Sequence, residues 1–232
     1  LKASSEDTGG LNARSYTGDG NRQYLTGLNL GGRNILVLLD RSASMLAPEL
    51  VNIIRLRNMG DSVKRNADKW QRSLDTVEWL TAQMPINSQY QVYAFNTETE
   101  PVLAGTEGSW LDVSNDAQLE EVVTAMRALT PTGGTSMENA FRAALALKPR
   151  PDNVFLLTDG LPTQGAKPPR GNTITGRQRQ ELFRNAVRLW PASVPINIIL
   201  APMEGDPMAP SEFWKLAQAT AGSFLSPAED WP

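Results

Sequence analysis

The 232-residue sequence contains neither cysteine nor histidine. The absence of cysteine excludes disulfide bonds, thiolate metal sites and cysteine nucleophiles. The absence of histidine removes the commonest general base and the commonest ligand of transition metals. Any chemistry in this chain must therefore use oxygen ligands, lysine or arginine.

Long hydrophobic runs and an excess of positive charge are also missing. No apolar stretch approaches the roughly 20 residues of a transmembrane helix, so we expect no membrane insertion by this chain, while an anchor upstream of Leu1 stays open. The net charge is −3, so we expect no nucleic-acid partner. The composition, 41% hydrophobic and 20% charged, is that of an ordinary globular protein.

Apolar strand-like segments alternate with amphipathic helical patterns along most of the chain. The clearest strands are ILVLL, YQVYAF, NVFLLT and INIIL, and residues 102–104 form a candidate edge strand. This alternation predicts a three-layer, doubly wound α/β fold with a mostly parallel sheet flanked by helices. Residues 1–32 are interpreted as an N-terminal arm or linker, with an extra strand in YLTGLNL, and residues 33–232 as one folded domain.

Three polar loops follow strands or precede helices of this predicted sheet. Asp40, Ser42 and Ser44 alternate directly after ILVLL, so their side chains can direct three oxygens to one point on a loop that we expect to face solvent. Thr135 ends the Gly-rich segment TGGT, and Asp159 directly follows NVFLLT. In parallel sheets, ligands bind beyond the carboxyl ends of the strands. Five oxygen donors at such an edge predict a site for Mg²⁺, with Mn²⁺ or Ca²⁺ as alternatives.

Each loop also has a purely structural interpretation. Asp40 or Ser42 is a suitable cap for a following helix, and Thr135 with Glu138 matches a capping box. Asp159 followed by glycine is a common turn pair. The coincidence of all three loops at one edge of one sheet favours the metal site.

The combination of D-x-S-x-S, T-G-G-T and an apolar strand ending in T-D-G resembles the von Willebrand factor A domain with its metal-ion-dependent adhesion site. The resemblance covers residues 33–226, and the sequences of several segments resemble those of bacterial membrane-anchored members. It implies that the hydroxyls of Ser42, Ser44 and Thr135 contact the metal, that Asp40 and Asp159 bind through water, and that a partner's carboxylate completes the shell. Arg41 and an insertion at 46–69 depart from the family pattern.

The resemblance implies a non-enzymatic binding module that uses a divalent cation to engage an exposed Asp or Glu of a partner protein. Two alternatives stay open: a Mg²⁺-dependent, phosphatase-like hydrolase with Asp40 as nucleophile, and a subunit of a chelatase-type assembly. Phosphatase chemistry of that kind uses a second Asp at position 42, where this chain has Ser. We expect a location in the cell envelope, with the cytoplasm as the alternative.

Overall fold

A computed structural model describes residues 28, 30–169, 171 and 173–228. The predicted arm at 1–32 and the strand YLTGLNL lie almost wholly outside the described residues. Of that segment, Leu28 and Leu30 are described, and both are buried in the core.

One sheet of seven strands runs through the described part of the chain, and its centre is parallel. The strand order is β3-β2-β1-β5-β6-β7, and the short β4 also pairs with β2. β1 lies between β2 and β5 and is parallel to both. The strands are β1 (Asn34–Asp40), β2 (Gln89–Phe95), β3 (Thr99–Pro101), β4 (Leu111–Asp112), β5 (Asn153–Thr158), β6 (Ile196–Leu200) and β7 (Phe224–Leu225).

Helices cover both faces of the sheet, which confirms the predicted three-layer α/β fold. The helices are α1 (Leu50–Leu56), α2 (Asp61–Arg65), α3 (Asp68–Ala82), α4 (Asp116–Ala128), α5 (Met137–Ala146), α6 (Gly176–Val187) and α7 (Ala209–Ala219), and a 3-10 turn spans Ala43–Leu46.

Alternation along β1 separates the core into two layers. Ile35, Val37 and Leu39 point to the face covered by α3 and α4, where Trp70 is fully buried. Leu36 and Leu38 point to the opposite face, which α5, α6 and α7 cover. Both faces of β1 are therefore apolar, as its continuous hydrophobic sequence predicts.

The edge strand lies slightly before the predicted segment 102–104. Thr99–Pro101 pairs antiparallel with β2, and Val102 then donates its backbone N–H to the Val92 carbonyl at 2.8 Å. The tight turn after Phe95 brings the returning chain onto β2 earlier than the apolar residues alone indicate.

The predicted insertion at 46–69 contains α1 and α2, which carry several exposed aliphatic side chains. Leu50, Val51 and Ile54 are more than two-fifths exposed. A hydrogen bond from Glu204 N to Pro48 O, 2.7 Å long, fastens the start of this segment to the loop after β6.

The connection from α7 to β7 depends on a glycine. A Cβ atom on Gly222 would lie 2.0 Å from the Ile196 carbonyl oxygen, so a side chain has no room there. Gly222 N donates to Ala217 O at 2.8 Å, and Ser223 O accepts from Ile198 N. These bonds set β7 beside β6.

Candidate metal centre

Asp40 ends β1 and is completely buried, which corrects the expectation of a solvent-facing side chain. Its Oδ1 accepts the Ser42 backbone N–H at 2.8 Å, and its Oδ2 accepts the Thr158 hydroxyl at 2.7 Å. Because β5 lies beside β1, Thr158 at the end of β5 is placed to hold this carboxylate. Asp40 is thus fixed by two neutral donors.

Two serine hydroxyls connect the β1 loop to Asp159. Ser42 Oγ lies 3.0 Å from Ser44 Oγ, and Ser44 Oγ donates to Asp159 Oδ1 at 2.9 Å. Ser44 is positioned by the 3-10 turn, whereas Asp159 directly follows β5. The structure therefore brings four of the five predicted residues, Asp40, Ser42, Ser44 and Asp159, into one hydrogen-bonded group.

Lys69, near the start of α3, completes this group with a positive charge. Its Nζ lies 2.6 Å from Asp159 Oδ2, and the two side chains are only 5% and 2% exposed. The same ammonium donates to the carbonyl oxygens of Ser44 and Ala47, at 3.0 and 3.3 Å. A buried ion pair of this kind has to be well hydrogen-bonded to offset the loss of hydration.

The environment of Asp40 favours its neutral form. Burial, followed by the negative charge of Asp159, raises the pKa of Asp40 from 3.8 to about 7. The hydrogen bonds from Thr158 and Ser42 oppose this rise, because they stabilise the carboxylate. A nearby cation would favour the charged form and lower this pKa.

The Gly-rich loop, residues 132–135, packs against the loops that follow β1 and β5. Thr132 N donates to Arg41 O at 2.8 Å, and Ala43 N donates to Gly133 O at 3.0 Å. Gly133 has φ of +77°, and a Cβ on Gly134 would lie 2.5 Å from Thr163 Oγ1. The backbone of this loop therefore approaches Thr163 closely.

Thr135 sits in this loop but does not cap α5. Its backbone N–H donates to Thr163 Oγ1 at 2.9 Å, and its carbonyl accepts from Thr163 N and Gln164 N. The cap is Ser136, whose hydroxyl accepts from Asn139 N. The capping-box alternative for Thr135 with Glu138 is therefore wrong, because the helix begins one residue later than that pattern requires.

Arg41 points away from the carboxylates. Its Nη2 pairs with Glu100 Oε1 on β3 at 2.5 Å. On the other side, Asp206 Oδ2 accepts the Leu161 N–H at 2.7 Å and pairs with Arg179 at 2.8 Å. These contacts brace the loops that begin at Asp40 and Asp159.

The donor chemistry fits a hard divalent cation. Adjacent ligands of a Mg²⁺ octahedron with bonds of about 2.1 Å lie about 3.0 Å apart, and the two serine hydroxyls are separated by 3.0 Å. A hydroxyl that offers a lone pair to a metal still donates its proton, as Ser44 does to Asp159. Among the described residues, no group of three or more His, Cys, Asp or Glu side chains could hold a metal. Any cation here would therefore depend on the hydroxyls.

Sequence reasoning missed Lys69, Thr158 and Thr163. Thr158 is the last residue of β5, directly before Asp159, and this position beside the predicted site gave a usable signal. Lys69 gave none, because it lies 25 residues beyond Ser44, after the α1–α2 segment.

Comparison with known proteins agrees with this architecture. A family model described as the von Willebrand factor type A domain matches residues 35–161, more than half of the chain. A von Willebrand factor type A structure from Catenulispora acidiphila has 17% identity and a TM-score of 0.54, over 86% of this chain and 39% of that one. None of the curated proteins compared with the sequence matches it.

Two further solved structures share the fold. The PilB minor pilin from Streptococcus sanguinis has 15% identity and a TM-score of 0.52, over 86% of this chain and 58% of the pilin. Proximal thread matrix protein 1 from the mussel byssus has 16% identity and a TM-score of 0.51, over 85% and 44% of the two chains. This chain therefore spans less than two thirds of each of these relatives. Within its described residues, no helix has the length and apolar character needed to cross a bilayer.

Proposed function

This chain belongs to the von Willebrand factor type A domain family, and from that premise we propose that it is a non-enzymatic, metal-dependent protein-binding module. Domains of this family commonly mediate protein–protein interactions. Mg²⁺ is the proposed cation, with Mn²⁺ or Ca²⁺ as alternatives, and the proposed partner is a protein with an exposed Asp or Glu.

The hydroxyls of Ser42, Ser44 and Thr135 would hold the cation directly. Asp40 and Asp159 would bind it through water molecules. The bound cation would supply an electrophilic point for a partner's carboxylate. The observation that carries the proposal is the hydrogen-bonded chain from Ser42 through Ser44 to Asp159, in which the two serine hydroxyl oxygens lie 3.0 Å apart. This set contains few negative charges, so a bound divalent ion stays under-neutralised and attracts one more carboxylate.

Calorimetric titration with Mg²⁺ and Mn²⁺ tests the metal. We expect Asp40→Asn to weaken binding by at least about tenfold, since a neighbouring carboxylate is lost. Asp112→Asn is the matched control, because Asp112 pairs with Gln89 at the amino end of β2, whereas Asp40 pairs with Phe95 at the carboxyl end of that strand. Equal binding by the wild type and Asp40→Asn, or no binding by the wild type, would contradict the proposal.

Acetate tests the predicted preference for carboxylate. If a carboxylate completes the metal shell, excess acetate tightens Mn²⁺ binding by linkage, relative to chloride at the same ionic strength. Equal Mn²⁺ affinity in the two salts would remove the acidic partner from the proposal.

The hydrolase alternative is not favoured. Lys69, the buried lysine of this site, pairs with Asp159 rather than with Asp40, so it does not assist a nucleophile at position 40. The chelatase-subunit alternative stays a hypothesis. A location in the cell envelope also stays a proposal, and one protein with this fold, PilB, is by its name a pilin.

A further inference from the structure

Lys69 carries a cationic group into the interior of the candidate site. Its Nζ has three oxygen partners, and two of them belong to the loop that carries the metal-facing hydroxyls. The Lys69 ammonium therefore holds the 3-10 turn that carries Ser44 through backbone carbonyls. Asp159 Oδ1 remains directed towards the Ser44 hydroxyl. One side chain thus joins α3, the β1 loop and the β5 loop.

The net charge of the site is less negative than its predicted donors alone would make it, because Lys69 adds a positive charge. With Asp40 ionised, Asp40 and Asp159 would present two negative charges to an incoming cation, and Lys69 offsets that of Asp159 at 2.6 Å. The ammonium also repels a second cation, because both lie in a region with little water to screen them. These charges predict a site that needs no metal to stay folded and that binds metal less tightly than its carboxylates alone would.

We propose that Lys69 is a built-in counter-cation that sets the metal affinity of this site. It holds Asp159 in place in the metal-free protein and keeps a bound divalent ion weakly neutralised, so that a partner's carboxylate gains more from binding. This inference rests on the proposed metal-dependent function and specifies how that site is tuned.

Four variants separate charge from hydrogen bonding. Lys69→Met removes both, Lys69→Gln keeps a donor but removes the charge, and Lys69→Arg keeps the charge. Lys215→Met is the control, because that lysine is 64% exposed and pairs with Glu212 on α7. Mn²⁺ alone is the probe, titrated by calorimetry.

We expect Lys69→Met and Lys69→Gln to bind Mn²⁺ at least about tenfold more tightly than the wild type, because a nearby positive charge is gone. Lys69→Arg and Lys215→Met should bind like the wild type. In chelator, both charge-removing variants should have a lower Tm, and Mn²⁺ should raise their Tm more than it raises that of the wild type. If Lys69→Met does not fold, Lys69→Gln decides the question.

The possible results distinguish this inference from the proposed function. Unchanged or weaker Mn²⁺ binding by the folded charge-removing variants, beside a wild type that binds, overturns the role of Lys69 and leaves the metal site standing. Mn²⁺ binding by Lys69→Gln beside a wild type that does not bind supports the role of Lys69 but contradicts the proposed function of the native protein. No binding by any form of the protein overturns both.

Discussion

The two carboxylates of the candidate site lie at the carboxyl ends of neighbouring strands but have opposite surroundings. Asp40 ends β1 and Asp159 follows its neighbour β5, and both are almost fully buried. The donors to Asp40 are the neutral groups of Ser42 and Thr158. Asp159 has an ammonium within 2.6 Å.

This difference gives the carboxylates at the ends of two neighbouring strands different electrostatic roles. The charge of Asp159 is already compensated by Lys69, so its contribution is to hold the loops together. The charge of Asp40 is uncompensated, so it is the group with most to gain from a metal ion. We therefore expect Asp40 to control metal affinity and Asp159 to control stability.

The largest expected effect separates these two roles directly. Asp159→Ala leaves the buried Lys69 without its carboxylate, and we expect a loss of about 3–5 kcal/mol in the free energy of unfolding. Asp40→Asn removes an unpaired buried charge and keeps an acceptor for Ser42 N, so at pH 7 in chelator we expect no loss of stability. Urea unfolding measures both values, and equal losses would abolish the distinction.

A second prediction uses pH to sharpen the comparison. The pKa of Asp40 is 3.8 in its ordinary state and about 7 in the folded protein. Between those values the folded state binds more protons than the unfolded state, so this group's contribution to stability is complete below pH 3.8 and is lost as pH rises to about 7. Each pKa unit corresponds to about 1.4 kcal/mol, which sets an upper limit of roughly 4 kcal/mol.

The measurement is the difference in unfolding free energy between wild type and Asp40→Asn, followed across this pH range in chelator. That difference isolates Asp40 from the other acidic groups, and a flat difference would contradict the prediction. Because Mg²⁺ and the proton compete for the same carboxylate, the apparent Mg²⁺ affinity of the wild type should rise over the same interval.

The smallest expected effect concerns the hydroxyl that joins the two halves. Ser44→Ala removes the bonds to Ser42 and Asp159, and we expect a loss of about 1 kcal/mol in stability together with weaker Mn²⁺ binding. Ser211→Ala is the control, since its hydroxyl bonds only to Met208 O on the surface. Normal Mn²⁺ binding by Ser44→Ala would show that the two halves act without this bridge.

The fold and most of the site could be predicted because they depend on local patterns. Apolar runs such as 35–39 identify central parallel strands, and those strands bring Asp40 and Asp159 to one edge. Alternation then places Ser42 and Ser44 together. These inferences need only the period of a strand and the rule that parallel strands share an edge.

The remaining features depend on contacts between distant segments. Nothing near Lys69 in the sequence shows which helical turn faces Asp159, since the length and path of the α1–α2 segment decide it. The burial of Asp40 depends on how closely the loop after β5 and the Gly-rich loop before α5 approach. The choice between Thr135 and Ser136 as cap was a shift of one residue, which local pattern cannot resolve because both side chains are suitable caps.

The close approach at Gly222 has a consequence for reading the evolution of this domain. A side chain there would collide with the Ile196 backbone, where the nearest atom cannot rotate aside. In a mutational scan for Mn²⁺ binding we expect Gly222 to tolerate exchange as poorly as Asp40, although it bears no functional group. Invariance across relatives at this position would record a steric constraint, whereas invariance of the serine hydroxyls would record selection for binding. A conservation profile alone would give the two kinds of residue the same weight, and only the distance of 2.0 Å to Ile196 O separates them.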